Sequence, residues 1–522
     1  MKKYSQENFL RLMKKDLFMK RIVFWNAVFI LFSEALFAQQ VKVPIWNGRV
    51  ETQAGYSSND AVPLWMRSNQ FGSVPVVGLS NSWIGSFYKT YGKPHDPNDF
   101  STVDWGLDIQ TRINLAEKTS AQLIEGAIKA KWWIFEGRAG RSKDIVGLNG
   151  DSTLSSGNFA ISGNGLGIPK LEIRVPDYYR LPFWNGLVSL KGSFAHGWVG
   201  RRLIDPRAFL KFSEDYRVNT FYHQKSLYGR IGREGAKLNL YGGINHQAYW
   251  GNESEVYGDK YTLTDLETFW YVLSGKAYGE PGIPRSKIGN QLGSIDMGLS
   301  YDFNDIRLIG YRQNLYDVGA ISKLANISDG LNGMIIENLR DDKDDSDNWK
   351  WKKFLLEFFY SKDQAGYPWS KATASGDEDY YNNSYYLEGW SYQAAGLGNP
   401  LIIPATDAKA GQVSNPLKYF ISNRVLAVHL GADMDIYKTK ILLKATYARH
   451  YGNFSTSEWG GSTGSEFGES YGKFIPVSQL SAYLEASRRL SRGFSTGIVA
   501  AMDHGKMLNN SVGGYIFLAK RW

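Results

Sequence analysis

The sequence predicts an all-β protein, a transmembrane antiparallel β-barrel with short periplasmic turns and long extracellular loops. Three observations predict it. Apolar residues recur with period two rather than 3.6, the connections sort into short and long, and a secretory leader precedes the first strand.

The leader is the apolar run "IVFWNAVFILF" at 22–32, preceded by Lys20 and Arg21 and followed by "ALFA" at 35–38. It reads as a signal peptide over 1–38, cleaved between Ala38 and Gln39, with Met19 of "MKR" as a second candidate start. Asn26 interrupts the run, which is also short for a membrane-spanning helix. The chain has no Cys, which excludes a disulfide framework, thiol chemistry and a lipid-anchored lipoprotein. Without the leader about +5 of the formal +9 charge is left, too little to argue for nucleic acid. Residues 39–75 are expected to form an N-terminal periplasmic or entry segment, and 76–522 the barrel.

Strands follow in order. In 170–175, Leu171, Ile173 and Val175 share one face, and Lys170, Glu172 and Arg174 the other. A hairpin carries Ile295, Met297, Leu299 and Tyr301, turns at Asn304 and Asp305, and returns through Ile306 and Leu308. Over 425–447 Leu426, Val428 and Leu430 alternate with Ala427 and His429; after a turn at 437–439, Ile441, Leu443 and Tyr447 alternate with Lys440, Lys444 and Thr446. Leu480, Ala482 and Leu484 turn at 491–493 into Phe494, Thr496 and Ile498. Long polar connections are expected over 245–295, 311–353 and 361–424. The terminal "GGYIFLAKRW" is a last strand ending in the aromatic Trp522.

A bilayer has no water for unpaired backbone groups, so such strands must close into a ring. Their apolar faces then meet lipid and their polar faces the lumen. The 17 Trp and 32 Tyr suit aromatic girdles at the two interfaces.

Several stretches resemble the capsule assembly Wzi family of outer-membrane proteins. They are "VPLWMRSNQFGSVP" (62–75), "SSGNFAISGNGLGIPKLEIRVPDYYRLPFWNGLVSLKGSFAHGWVG" (155–200), "LYGGINHQAYWG" (240–251), "NISDGLNGMIIE" (326–337), "YSKDQAG" (360–366), "DYYNNSYYLEGWSY" (379–392) and "NRVLAVHLG" (423–431). The resemblance implies about 18 strands in a Gram-negative outer membrane and a lectin-like, non-catalytic role, binding capsular or extracellular polysaccharide at the cell surface. It also implies a periplasmic helical bundle near the N-terminus, of which 39–65 shows no helical repeat.

The glycan reading has its own physical basis. Sugars offer hydroxyls and patches of polarised C–H, which suit flat rings beside hydrogen-bonding side chains. Asp379, Tyr380, Tyr381, Asn382, Asn383 and Trp390 supply that mixture in one stretch. Asp363 and Gln364 open the same long connection, and Arg424 closes it with a planar donor fork suited either to an acidic sugar or to an ion pair across the lumen. Trp250, at a strand-to-loop junction, reads equally as rim anchor or sugar platform, and Tyr311 and Arg312 of "YRQN" admit the same two readings. His246 reads as a packed wall residue. The alternative to the lectin is a porin or small-solute channel, since a lumen lined by Lys, Glu, Arg and Asp also suits diffusion. A structural adhesin is a third class.

Other motifs point to no chemistry. "GNGLGIPK" at 163–170 runs into a strand rather than a helix, so it is a turn and no phosphate cradle. "DDKDDSDN" at 341–348 lacks the Gly and closing Glu of a calcium loop. The seven His show no zinc spacing, and G-x-S-x-G at 460–464, 468–472 and 493–497 lies in loop or hairpin-turn sequence. No enzyme, metal or cofactor is expected. The expected partners are polysaccharide, outer-membrane lipids with lipopolysaccharide, and the barrel-insertion machinery, around a monomer.

Overall fold

The computed structural model describes residues 45–522 except 77, 93–99, 150, 211, 318, 341–347, 366–377 and 457–470, so the leader expected over 1–38 lies outside the described residues. Eighteen strands form one sheet: β1 (Trp46–Ser57), β2 (Ser80–Lys89), β3 (Val103–Leu115), β4 (Ser120–Trp132), β5 (Phe135–Arg141), β6 (Lys170–Arg180), β7 (Val188–Leu203), β8 (Arg217–Ile231), β9 (Leu238–Trp250), β10 (Asn290–Asp302), β11 (Ile306–Tyr316), β12 (Gly330–Asn338), β13 (Trp349–Tyr360), β14 (Val425–Ile436), β15 (Thr439–His450), β16 (Val477–Arg489), β17 (Phe494–Gly505) and β18 (Ser511–Arg521). Each strand runs antiparallel to its chain neighbours, and β1 also pairs with β18, so the sheet closes with no free edge. At the seam Gly48 and Trp522 exchange backbone hydrogen bonds of 3.2 and 3.1 Å. A Cβ at Gly48 would collide with the Trp522 indole, so only glycine lets the last side chain lie across the first strand.

One end of the barrel carries tight turns. At 437–438 both Tyr437 and Lys438 have positive φ, 48° and 63°, as a two-residue turn matched to strand twist requires. The other end carries the long excursions 58–79, 142–169, 251–289, 361–424 and 451–476. Along β6, Leu171 and Ile173 are 56% and 54% exposed toward lipid while Lys170 and Glu172, which alternate with them, are buried inside. Trp46, Trp105, Trp132, Trp184 and Trp349 are exposed at the short-turn end, where a girdle belongs. The chain is a closed antiparallel β-barrel of the outer-membrane type.

The inner wall has two characters. On β10–β15 it carries an apolar patch: Leu292, Leu315, Leu331, Leu355 and Phe359 are buried against loop side chains in a single hydrophobic cluster, with Asp296, Gln313, Glu357 and His429 buried among them. On β3–β6 it is ionic, with Asp108, Glu125, Lys129, Glu136, Arg138, Lys170, Glu172 and Arg174 projecting inward. The described residues of loops 142–169 and 361–424 fold back into the barrel as a plug against the apolar side. Segment 58–79 joins them: the Trp65 indole donates to Thr446 Oγ1 at 3.0 Å and lies 4.9 Å from the His429 ring.

Three expectations are corrected. The wall begins at Trp46, inside the segment expected to precede the barrel. The supposed long connection 311–353 contains β12, whose "GLNGMIIEN" is too Gly- and Asn-rich to alternate cleanly in sequence. The acidic stretch 341–348 therefore joins β12 to β13 at the short-turn end, and its residues 341–347 lie outside the described residues. The G-x-S-x-G at 460–464 lies outside them too.

Candidate functional site

Most of the residues singled out for glycan binding meet in one place, and it is the interior. Trp390 is fully buried, its indole N–H donating to the Ala160 carbonyl at 2.8 Å and its ring 4.6 Å from that of Tyr249 on the wall. Tyr381 is equally buried, donates to the Phe159 carbonyl, and accepts from the Asn399 amide N–H at 2.8 Å. Its rim is so close to Gly398 that any Cβ there would strike the hydroxyl. Tyr380 donates to Asp329 at 2.8 Å and its amide to Gln364 Oε1 at 2.9 Å. Asn382 and Phe420 form a reciprocal pair of 2.9 Å bonds, and Asn383 Oδ1 accepts from the amides of Tyr385 and Tyr386 to set a local turn.

The charged candidates knit the same unit. Asp329 accepts from the amides of Asp363 and Gln364 at 2.9 and 2.7 Å, and Asp363 also accepts from Ser328. Asp379 accepts from Asn423 at 2.6 Å, with Lys418 at 3.6 Å. Arg424 is buried and donates to the carbonyls of Lys362 and Asp363 at 2.7 and 3.2 Å. One terminal nitrogen therefore clamps backbone, and the buried guanidinium is not presented to an acidic sugar. Tyr311 is buried on β11 and donates to Glu357 at 2.5 Å. Burial pushes the Asp329 carboxyl up to about 7 despite the N–H and O–H donors around it. Burial, reinforced by Glu378 and Asp379, pushes Asp317 well above the usual carboxylate range.

Two candidates lie apart. Arg312 is half-buried and ties the wall to the loop that follows its strand through Asn314, Asn332 and the carbonyls of Ile327 and Asp329. Trp250 points out of the barrel into a separate cluster with Phe221 and Phe269, at ring distances of 5.3 and 5.5 Å.

The ionic wall is the feature that sequence reading left unassigned, although the alternation of Lys170, Glu172 and Arg174 with apolar residues marks one strand of it. Its centre is Arg138. Four carboxylates surround the guanidinium, Glu172 at 3.5, Asp144 at 3.6, Glu136 at 3.8 and Glu125 at 3.9 Å, none within a direct hydrogen bond. Arg138 Nε and Glu172 Oε2 are buried without a hydrogen-bond partner among the described residues. The flanking pairs are tight: Lys170–Asp144 at 2.6, Arg174–Glu136 at 2.7 and Lys129–Asp108 at 2.8 Å. Burial alone would raise the Asp144 carboxyl, yet Lys170 and Arg138 beside it hold it below the usual carboxylate range. Lys170, the end of the Gly-rich run, thus faces carboxylates and a glutamine rather than an anion. Among the described residues no group of three or more His, Asp or Glu is placed to hold a metal.

No family model matches the chain, and no curated protein matches it. Solved structures do. OccAB4 of Acinetobacter baumannii is similar over 93% of this chain and 99% of its own, with 8% identity and a TM-score of 0.43. The outer membrane protein OprD of Pseudomonas aeruginosa is similar over 92% and 94%, with 9% identity and a TM-score of 0.43. OccD3 of the same organism gives 9% identity and a TM-score of 0.38, with 91% of each chain covered. These are likenesses of fold alone.

The lectin expectation is overturned at this point. A polymer cannot stack on Tyr380, Tyr381 and Trp390, which are shut inside the wall and spend their polar atoms on the protein's own backbone and side chains. Long loops at the outer end suggested exposure. The apolar inner wall of β10–β15 supplied a better place for the rings, because burying each large side chain is worth about 1.5–3 kcal/mol.

Proposed function

We propose that the chain is an outer-membrane channel for small polar or charged solutes, a non-catalytic porin-like protein in which inward-folded loops confine passage to the ionic side of the lumen. The observation that carries this reading is Arg138. A guanidinium that only held the wall together would close onto its carboxylates as Arg174 closes onto Glu136. Arg138 instead stands 3.5–3.9 Å from four of them, and its Nε and the Glu172 Oε2 are left without a hydrogen-bond partner among the described residues, bonding capacity that a passing polar group can take up. A solute carrying a charge can exchange partners along such a wall without facing a bare charge at any point. Kinship with the Wzi family belongs to this proposal as ancestry. The stretches that carry the resemblance supply much of the plug and its seat.

Purified chain in planar bilayers tests the reading. A steady single-channel current is expected, and Arg138→Ala should turn it toward cations by leaving its carboxylates unbalanced. A correctly inserted barrel that passes no ions at any salt concentration, with its plug intact, would refute it.

A further inference from the structure

The outer wall breaks its own rule at β8 and β9. Ile173, Phe194, Lys225 and His246 form one rung across β6–β9, each paired with the next and all facing away from the lumen. Ile173 and Phe194 are 54% and 39% exposed, as a lipid belt requires, whereas the next two positions on the rung are an amine and an imidazole. One rung nearer the outer end, His196 is opposite His223. Bare polar groups of this kind are costly against hydrocarbon.

The excursion 251–289 covers them from outside. It holds the helix Asp265–Ser274 and a small hairpin, Ala277–Glu280 with Ile283–Lys287. Val272, Tyr278, Ile283 and Ile288 pack on Ala248 and Trp250 of the outer face. The Phe269 ring stands 5.7 Å from His223, and the Lys225 ammonium donates to the Leu273 carbonyl at the end of the helix. The helix then shows its own apolar side outward: Leu266 is 78% and Trp270 60% exposed, one turn apart. Its charge is divided by end. Asp265 and Glu267 stand at the start, Glu267 held in a capping box with Thr264, while exposed Lys276 and Arg285 stand beyond the last turn.

We propose that residues 251–289 form a lipid-binding surface in the outer leaflet. Leu266 and Trp270 lie among acyl chains in continuity with the belt at Ile173 and Phe194, and Lys276 and Arg285 bind the phosphate of an anionic lipid headgroup. The excursion replaces a faulty stretch of lipid-facing wall with a better one, and adds headgroup recognition that the bare wall lacks.

The full-length chain in vesicles tests both parts. Because the native chain has no Cys, Trp270→Cys provides a single labelling position for an environment-sensitive fluorophore. Brominated acyl chains should quench that label as strongly as one at Ile173→Cys; a label at 270 left unquenched, with emission like that in water, overturns the insertion. Phosphatidic acid in phosphatidylcholine vesicles should raise the melting midpoint of the native chain by several degrees and leave a Lys276→Gln, Arg285→Gln variant unmoved. Equal shifts in both proteins, or none in the native chain, overturn the headgroup assignment. A shift of the same size with free inorganic phosphate in place of the lipid overturns its lipid character. Heat-modified gel migration shows that each variant has inserted as a closed barrel.

Discussion

The two halves of the inner wall solve opposite problems with the same period-two backbone. Strands β10–β15 point Leu and Phe inward and grip a folded plug; β3–β6 point charges inward and grip little. An apolar half-wall facing empty lumen would be an exposed hydrophobic surface in water, so it demands a cover, and loops 142–169 and 361–424 are that cover. The ionic half needs no apolar cover, because most of its charges are paired with one another, as in Lys170–Asp144, Arg174–Glu136 and Lys129–Asp108. The barrel is therefore closed on one side by packing and kept polar on the other by ion pairs.

Four changes sharpen or break this contrast. Trp390→Ala removes the largest buried ring of the plug and should cost the plug about 3–5 kcal/mol, seen as new protease cleavage in 361–424 and a rise in conductance with the wall intact. Unchanged cleavage and conductance would show that the apolar side is not what seats the plug.

The second change is in pH. Asp329 keeps its proton in the folded protein up to about 7, against an ordinary value of 3.8. The folded form thus binds a proton that the released form would shed. The associated stability is fully present below about pH 4 and is lost as pH rises through about 7, by at most about 4 kcal/mol. Loop protection should fall over that window, and Asp329→Asn should flatten the profile; a profile identical to the native one would remove Asp329 as its source.

On the ionic side, Arg138→Ala should cost less, about 1–3 kcal/mol, because it leaves buried carboxylates with one cation fewer while Lys170 and Arg174 still pair Asp144 and Glu136. Its larger effect is on ions, a reversal potential moved toward cation preference in a salt gradient. An unchanged reversal potential would separate this wall from permeation. Smallest is Lys438→Gly in a tight turn remote from both halves. Relief of the left-handed backbone should add about 1 kcal/mol to thermal stability and leave conductance as it was.

The wall was far more legible in the sequence than its contents. The hairpins at 295–308, 425–447 and 480–498 show their faces because lipid and lumen impose opposite demands on successive residues. β12 hid behind Gly330, Asn332 and Gly333, and β1 behind Gly48 and Gly55, since glycine has no side chain to mark a face. The aromatic stretch 379–392 was recognisable as a unit, yet its direction was not. A Tyr that stacks on sugar and a Tyr that donates to Asp329 have the same neighbours in sequence. What decides between them is Leu331 and Phe359 on distant strands. Arg138 gave little local sign either, because only Glu136 shares its strand, while Glu125, Glu172 and Asp144 come from two other strands and a loop.

The seam between β1 and β18 sets a timetable. Wall strands meet their chain neighbours, so the meander can zip in order and needs only one distant encounter, Gly48 with Trp522, to finish. Plug contacts join residues as far apart as Leu154 and His429, 275 positions along the chain. Yet both plug loops enter from the long-loop end, so neither has to pass the seam. Closure and filling are thereby uncoupled: the ring can be complete and inserted while its contents are still searching, and refolding should show a fast phase from the wall followed by a slow one from the interior.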